Sequence, residues 1–474
     1  MPPKDRVVHG SSTTGRRERR TIRSGRWPPP WRHDVTISVG VVGAGPAGLT
    51  LAAALAQAGG FEVSVFDRAD DHFSVETYNP DRSYTIDITG HGLRAARHID
   101  ITDRFDAELI HFKGLKIAPH PWLRRLGAGY AEERYHGRGW TGSRGDICRC
   151  LQAHLRERHA NSVTLQFGAE ATLVDAGQPQ LRIASQSDGP GELRRFDLVV
   201  GCDGGGSGVR RAIADHSSGF SVEGADLGNH SLMLHLDQHL DELDPQYLYV
   251  LAVQPVMAVA GAINGPAGPA DPRWFCQIGF SGPLRFGSSE DARRFLDRAH
   301  PLLRHFASHA MVDDFSRRKC LPTGKTKRCS SLVDGRVALL GDAGAPVPPI
   351  GQGVNAAMEG ATVLARCLHD HRDALDAGLS AYASTWGRET DALRRIAMTV
   401  DLSQAMTPFR VLLASFAGYS ALTLAKREDL SYVEAWERFC RGEDRVRRTP
   451  LGWFLPPRST AVDLGPDRGH PAGE

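Results

Sequence analysis

The segment from Thr36 to Asp67 constrains the fold more than any other part of the chain. Thr36 to Val42 is a short apolar run that leads directly into Gly43-Ala44-Gly45-Pro46-Ala47-Gly48, and Leu49 to Ala58 follows, rich in Ala and Leu. This reads as strand, glycine turn and helix. Gly59-Gly60 closes the helix, and Phe61 to Phe66 alternates as a second strand ending in Asp67. In the spacing Gly-x-Gly-x-x-Gly the first glycine permits a tight turn, the second lets the backbone approach a pyrophosphate, and the third lets the helix pack on the strand. The helix N-terminus at Pro46 and Ala47 then faces the phosphates. Asp67, 24 residues after Gly43, suits an adenosine ribose, with Arg68 beside it. A dinucleotide site follows, with NAD and FAD both open.

The chain has 474 residues, enough for several lobes, and 57 Lys plus Arg against 55 Asp plus Glu leave a formal charge of +2. That balance gives no case for nucleic acid as a partner. The eight cysteines form no CxxC pair and no cluster with His, so neither a metal site nor a disulfide framework is expected, and a reducing cytoplasm fits. Cys148 and Cys150 read as small packed hydrophobes. Residues 1–34 read as a disordered basic arm without the apolar stretch of a signal peptide, and Val35, just before the first core strand, is a candidate native start. The fifteen uncharged residues Val411 to Ala425 fall short of the roughly 20 needed to span a bilayer. They are expected as a buried helix, and no integral membrane span is predicted.

Two further strands end in glycine and acid: Leu198 to Gly201 before Asp203-Gly204, and Arg336 to Leu340 before Gly341-Asp342. Between them, Leu232–Leu236, Tyr247–Val253, Val256–Ile263 and Trp274–Phe280 read as strands separated by Pro and Gly. From Gly353 onward the pattern turns helical. The expected domains are therefore 35–75, 140–215 and 320–375 for the nucleotide, 76–139 and 216–319 for substrate, and 376–455 as a C-terminal helical region, with 456–474 a disordered tail.

The run Asp197 to Arg210, containing Asp203-Gly204, and the run Gly341-Asp342-Ala343 with Pro349 and Gly351-Gln352-Gly353-Val354-Asn355 resemble the two distal flavin signatures of single-component (group A) aromatic monooxygenases. That resemblance implies an α/β fold: a Rossmann-type FAD-binding domain, p-hydroxybenzoate hydroxylase-like, with an inserted β-sheet substrate domain and a C-terminal helical region. It implies FAD, NADPH or NADH, and dioxygen as cofactors and cosubstrates. Asp342 at a strand end can accept from ribityl hydroxyls, the amides of Gly351 to Val354 can stabilise negative charge on reduced flavin, and Asp203 fits beside the pyrophosphate. Within the class, residues 36 to 455 look most like the kynurenine 3-monooxygenase family, through Arg82-Ser83, Gly92, Ser143-Arg144, Asn355, Glu359 and Tyr432-x-Glu434-Ala435. By that match Arg144 and Arg82 contact the flavin cofactor.

The departures point to another substrate. The family's glycine-aspartate motif continues Ala-Ala-His, whereas here Ala343-Gly344-Ala345 follows, and the stretch from Pro349 to Gly351 is one residue short. The position where the family sets an arginine against the substrate carboxylate aligns with Glu108, and like charges repel. A slip of the alignment would place Lys113, Lys116 or Arg124 there instead. Tyr84, Glu108, His111 and Asn355 are the candidate substrate-lining residues. The expectation is hydroxylation of a hydrophobic aromatic molecule such as an indole, quinolone or prenylated arene in secondary metabolism. Epoxidation of an isoprenoid alkene, kynurenine hydroxylation itself and a non-enzymatic flavin redox sensor remain as alternatives. A flavin halogenase would carry a Trp-x-Trp signature that this chain lacks. The oligomeric state is left open.

Overall fold

A computed structural model describes residues 36–450, apart from 77, 82, 136, 186–187, 254–255, 403–409, 411–412, 415–416, together with Gly452. The arm 1–34, the tail 456–474 and Arg82 lie outside the described residues. A six-stranded sheet forms the first layer, in the order Val333–Asp334, Val337–Leu339, Leu198–Gly201, Ile37–Val42, Phe61–Asp67, Val163–Phe167. All neighbours are parallel except the Val333–Asp334 edge strand. Val39, Val41, Leu198, Val199 and Val200 are fully shielded, as continuous apolar runs covered on both faces must be. The helix Pro46–Ala58 is apolar nearly all round because it lies between this sheet and the helix Gly353–Asp370. Arg144–Arg158 begins with a capping box, in which Ser143 accepts from the amide of Asp146 and Asp146 accepts from that of Ser143.

A seven-stranded sheet forms the second part, in the order Leu321–Pro322, Asn229–Leu236, Gly268–Ser281, Met257–Gly265, Tyr247–Ala252, Gly114–Ile117, Ala131–Arg134. Pairing is antiparallel except between Tyr247–Ala252 and Gly114–Ile117. Leu321–Pro322 carries this sheet past the boundary expected at 319. Alternation divides its side chains between two faces. Leu232, Leu234 and Leu236 pack on Leu296, Leu303, Phe306 and Phe315 from three helices between Ser289 and Arg317, while Met233, Ile263 and Phe275 form a separate cluster with Tyr78 and Tyr84. Sequence periodicity shows the strands of this insert but not the helices that cover one face.

A small sheet of Ile86–Ile88, Trp140–Gly142 and Ile110–His111 joins the two parts. The C-terminal region contributes the helices Leu375–Ala397, Ala421–Ala425 and Tyr432–Arg447. The single helix expected over Val411 to Ala425 is not formed: a turn at Ala417-Gly418, with Gly418 at φ 71°, interrupts it, and part of that run lies outside the described residues. Among the described residues no helix is long and apolar enough to cross a membrane.

Candidate functional site

Four adjacent parallel strands end on one edge of the six-stranded sheet, and their C-terminal ends carry Gly341-Asp342, Asp203-Gly204, Gly43-x-Gly45 and Asp67 in spatial order. In open α/β sheets ligands bind outside that edge. At Gly43 the backbone has φ 110°, and a side chain there would strike the carbonyl of Cys202. A Cβ on Gly48 would collide with the carbonyl of Gly43, so close helix packing demands glycine. Gly45 caps the helix without a side chain, and Pro46 and Ala47 open its first turn, buried.

The space around these loops is open where a dinucleotide would lie. A Cβ on Gly204 or Gly353 would meet nothing within 4 Å, and one on Gly45 would approach only Arg144, at 3.1 Å from Nη2. Asp203 accepts from the amides of Gly208 and Val209 through Oδ2, at 2.6 and 3.1 Å, while its Oδ1 is buried without a partner. Asp67 accepts from the amides of Ala44 and Ala69, at 2.7 and 2.8 Å, which ties the second strand to the glycine turn; Arg68 next to it is exposed. Asp342 is exposed, yet desolvation by the protein packed around it pushes its carboxyl above the usual range, with Arg144 and Arg210 opposing. Glycines without obstruction, a cation beside them and carboxylates able to accept from ribose and ribityl hydroxyls fit a flavin dinucleotide.

Arg210 holds two of these loops together. Its buried guanidinium donates to the carbonyls of Ala343 and Asp342, at 2.6 and 3.3 Å, and to that of Gly205, at 2.5 Å. The third loop is pinned by Asn355, whose amide donates to the carbonyls of Asp87 and Gly351, at 2.7 and 3.0 Å, and accepts from the amide of Thr89, at 2.9 Å. Asn355 is fully enclosed, so its side chain holds the loop and does not line an open site. Gly351 itself has φ 75°, with Asp87 and Lys426 as its nearest neighbours. Val354, in the first turn of Gly353–Asp370, is half-buried.

Behind that loop lies a network of which Gln352, Glu359 and Tyr432 stood out in the sequence and His91 and Arg94 did not. His91 pairs with Glu359, Arg94 donates to Glu359 at 2.6 Å, and His91 stacks on Tyr432 with ring centroids 3.7 Å apart. The Tyr432 hydroxyl donates to Gln352 Oε1 at 3.1 Å. Burial alone would raise the Glu359 carboxyl; His91 and Arg94 overcome it and hold the group below its ordinary range.

The four substrate candidates separate. Tyr84 packs on the Met233, Ile263 and Phe275 cluster of the seven-stranded sheet, while its phenol feels the charges of Asp342 and Arg144. Burial, then Asp342, raise its pKa and Arg144 opposes. Glu108 ends the helix Thr102–Glu108 and pairs with Arg104 one turn earlier; its other oxygen accepts from Cys150 Sγ at 3.4 Å. It is thus no isolated carboxylate facing a pocket. His111 is exposed, with Asp106 4.0 Å away. The alternative cations also stand elsewhere: Lys113 is 3.7 Å from Asp244, Lys116 lies over the ring of Tyr247, and Arg124 sits in the outlying helix Pro121–Arg125. The i,i+4 spacing of Arg104 and Glu108 is the signal that would have revealed their pairing.

The family described as FAD binding domain matches residues 36–390. The chain belongs to this family. It is an FAD-dependent monooxygenase that uses NAD(P)H and dioxygen, and the redox-sensor alternative is set aside. Kynurenine 3-monooxygenase of Stenotrophomonas maltophilia (strain K279a) is 26% identical over 384 residues, covering 76% of this chain and 78% of that protein. 3-Amino-4-hydroxybenzoate 2-monooxygenase of Streptomyces cremeus is 26% identical over 377 residues, covering 74% and 83%. Among solved structures, the tetrameric form of 2-methyl-3-hydroxypyridine-5-carboxylic acid oxygenase is similar with a TM-score of 0.59 at 20% identity, over 79% of this chain and 98% of that one. The probable FAD-dependent monooxygenase pqsL of Pseudomonas aeruginosa gives 0.57 at 20%, over 86% and 100%. The p-hydroxybenzoate hydroxylase-like α/β fold with C-terminal helices is the fold of this chain.

Proposed function

We propose that this monooxygenase hydroxylates a hydrophobic aromatic small molecule of the indole, quinolone or prenylated arene class. The observation that carries the reading is the position of Tyr84, which packs on the apolar cluster of Met233, Ile263 and Phe275 while its phenol senses Asp342 and Arg144. A substrate lying between sheet and flavin meets apolar and aromatic surface there, with the Glu108 carboxylate neutralised by Arg104 to one side. Bound FAD supplies the redox chemistry, accepting hydride from NADPH or NADH and activating dioxygen.

The protein's own residues bind, orient and enclose. The six-stranded half holds the cofactor and the seven-stranded sheet covers the substrate. The amides at the start of Pro46–Ala58 take the pyrophosphate, with Arg144 adding positive charge over Gly45. Asp67 accepts from the ribose and Asp342 from the ribityl chain, and Asp203 faces the pyrophosphate loop. The amides from Gly351 to Val354, on a loop held by Asn355, would stabilise negative charge on the reduced flavin. Tyr84 stays protonated at neutral pH, so its hydroxyl can donate to an oxygen or ring nitrogen of the substrate.

The test is NAD(P)H oxidation by the FAD-loaded protein with indoles, quinolones, prenylated arenes and kynurenine, following hydrogen peroxide and products by mass spectrometry. A member of the first three groups that accelerates oxidation and gains one oxygen atom supports the reading. An epoxide in place of a phenol moves it to alkene oxygenation, and preferential turnover of kynurenine overturns it.

A further inference from the structure

A cavity of about 230 Å³ lies between the strand Lys325–Cys329, the residues Gly344 and Ala345, and the helix Leu375–Ala397. Its wall carries Lys327, Arg328, Arg388 and Arg394. Arg394 is 4% exposed, and its Nε and Nη1 are buried without a hydrogen-bond partner. The nearest carboxylate is Asp391, 3.8 Å from Nε, and Asp391 is already engaged by Arg328 through two bonds of 3.0 and 3.1 Å. Glu223, 3.8 Å from Arg328, is the other carboxylate acting on this group. Arg388 and Lys327 have no carboxylate partner among the described residues.

A guanidinium removed from water with Nε and Nη1 unmet is short of counter-charge, which an anion in the cavity would supply. Burial lowers the pKa of both Arg394 and Lys327, the sign of cations lacking sufficient counter-charge; Arg210 and Arg211 add to the effect at Lys327. Ser330 and Ser384 place hydroxyls around the same space. The volume falls below the roughly 300 Å³ at which pockets enclose whole drug-sized ligands. It suits one tetrahedral oxyanion.

We propose that this cavity binds a phosphate-type oxyanion, held by Arg394 within and by Arg388 and Lys327 at its wall. Two sources share that chemistry: a free phosphate or phosphorylated metabolite, and the 2′-phosphate of NADPH. Gly344 and Ala345 follow directly on the Asp342 loop, so an anion here would steady that loop. The proposal depends on neither the substrate reading nor turnover.

The experiment is calorimetric titration of the FAD-loaded protein with inorganic phosphate, adenosine 2′,5′-bisphosphate and, as the control without a 2′-phosphate, AMP, at constant ionic strength. Saturable binding of phosphate or the bisphosphate, weakened at least tenfold in Arg394→Met and in Arg388→Glu, supports the site. Arg388 is exposed, so its variant carries the test if Arg394→Met does not fold. Tighter binding of the bisphosphate than of phosphate, with an NADPH over NADH preference that Arg388→Glu abolishes, identifies the nicotinamide source. Equal binding with that preference unchanged identifies the free anion. Absence of saturable binding by both anions, or binding untouched in the folded variants, overturns the proposal.

Discussion

Lys426 sets its ammonium 2.6 Å from the carboxylate of Asp87, 339 positions away in the chain. Asp87 is 2% exposed and Lys426 16%, so the pair is nearly dry. Both border Gly351, in the loop that leads into the helix Gly353–Asp370. Removing one partner of a buried pair leaves an uncompensated charge, which costs about 3 kcal/mol or more. Lys426→Ala is expected to lower the denaturation midpoint accordingly and to weaken FAD retention. The double variant Lys426→Met with Asp87→Asn should recover most of the stability, as denaturant unfolding of all three proteins will show.

Gly353→Ala separates cofactor space from protein space. A Cβ at this helical position meets no protein atom within 4 Å, and Ala is favoured over Gly in helices by up to about 1 kcal/mol. The apoprotein is therefore expected to unfold at the same denaturant concentration or slightly higher. FAD affinity, measured by quenching of flavin fluorescence, is expected to fall at least tenfold. Unchanged affinity would place the flavin elsewhere.

His154 predicts how stability responds to acid. It is 4% exposed, and burial, reinforced by His159 and neighbouring arginines, lowers its pKa to about 4. The unfolded chain takes up this proton near pH 6.5 and the folded protein only near 4. Its contribution is thus complete above pH 6.5 and is lost as pH falls toward 4, with an upper bound of about 3 kcal/mol. Between pH 7 and pH 5 the wild type should lose more unfolding free energy than His154→Leu does.

Glu108→Arg tests the reading of the helix Thr102–Glu108. The side chain at 108 is directed to Arg104 and Cys150, so an arginine there meets another guanidinium instead of a substrate carboxylate. Kynurenine is expected to give no acceleration of NADPH oxidation in this variant. Turnover would show that position 108 does face the substrate. Glu108→Gln, which removes a half-exposed pair, is expected to change stability by less than about 1 kcal/mol.

The parts of the site legible in the sequence are those set by local backbone needs. Gly43, Gly48 and Gly351 stand where a positive φ or a close approach excludes other residues, and acids stand where strands end. The side-chain positions were harder to read because they depend on contacts between distant elements. Asn355 sits in a motif that resembles a flavin signature, yet its three hydrogen bonds go to protein, at Thr89, Asp87 and Gly351. His111 and Glu108 sit beside a strand end, where one residue of register decides which face a side chain takes. Arg210, Lys426 and His91 are ordinary polar residues until folding puts them behind the glycine loops. The break at Gly418 was hidden by apolar composition, which shows burial but not chain direction.

The pairing of Lys426 with Asp87 also sets a timetable for synthesis. The strands that hang the phosphate-side loops are complete once Leu339 has left the ribosome, but Lys426 and Tyr432, which back the Gly351 loop, emerge only near the end. A nascent chain can lay down its central sheet well before it can brace that loop. A chain cut short near residue 400 would keep the strands of the central sheet and lack the residues that brace the Gly351 loop.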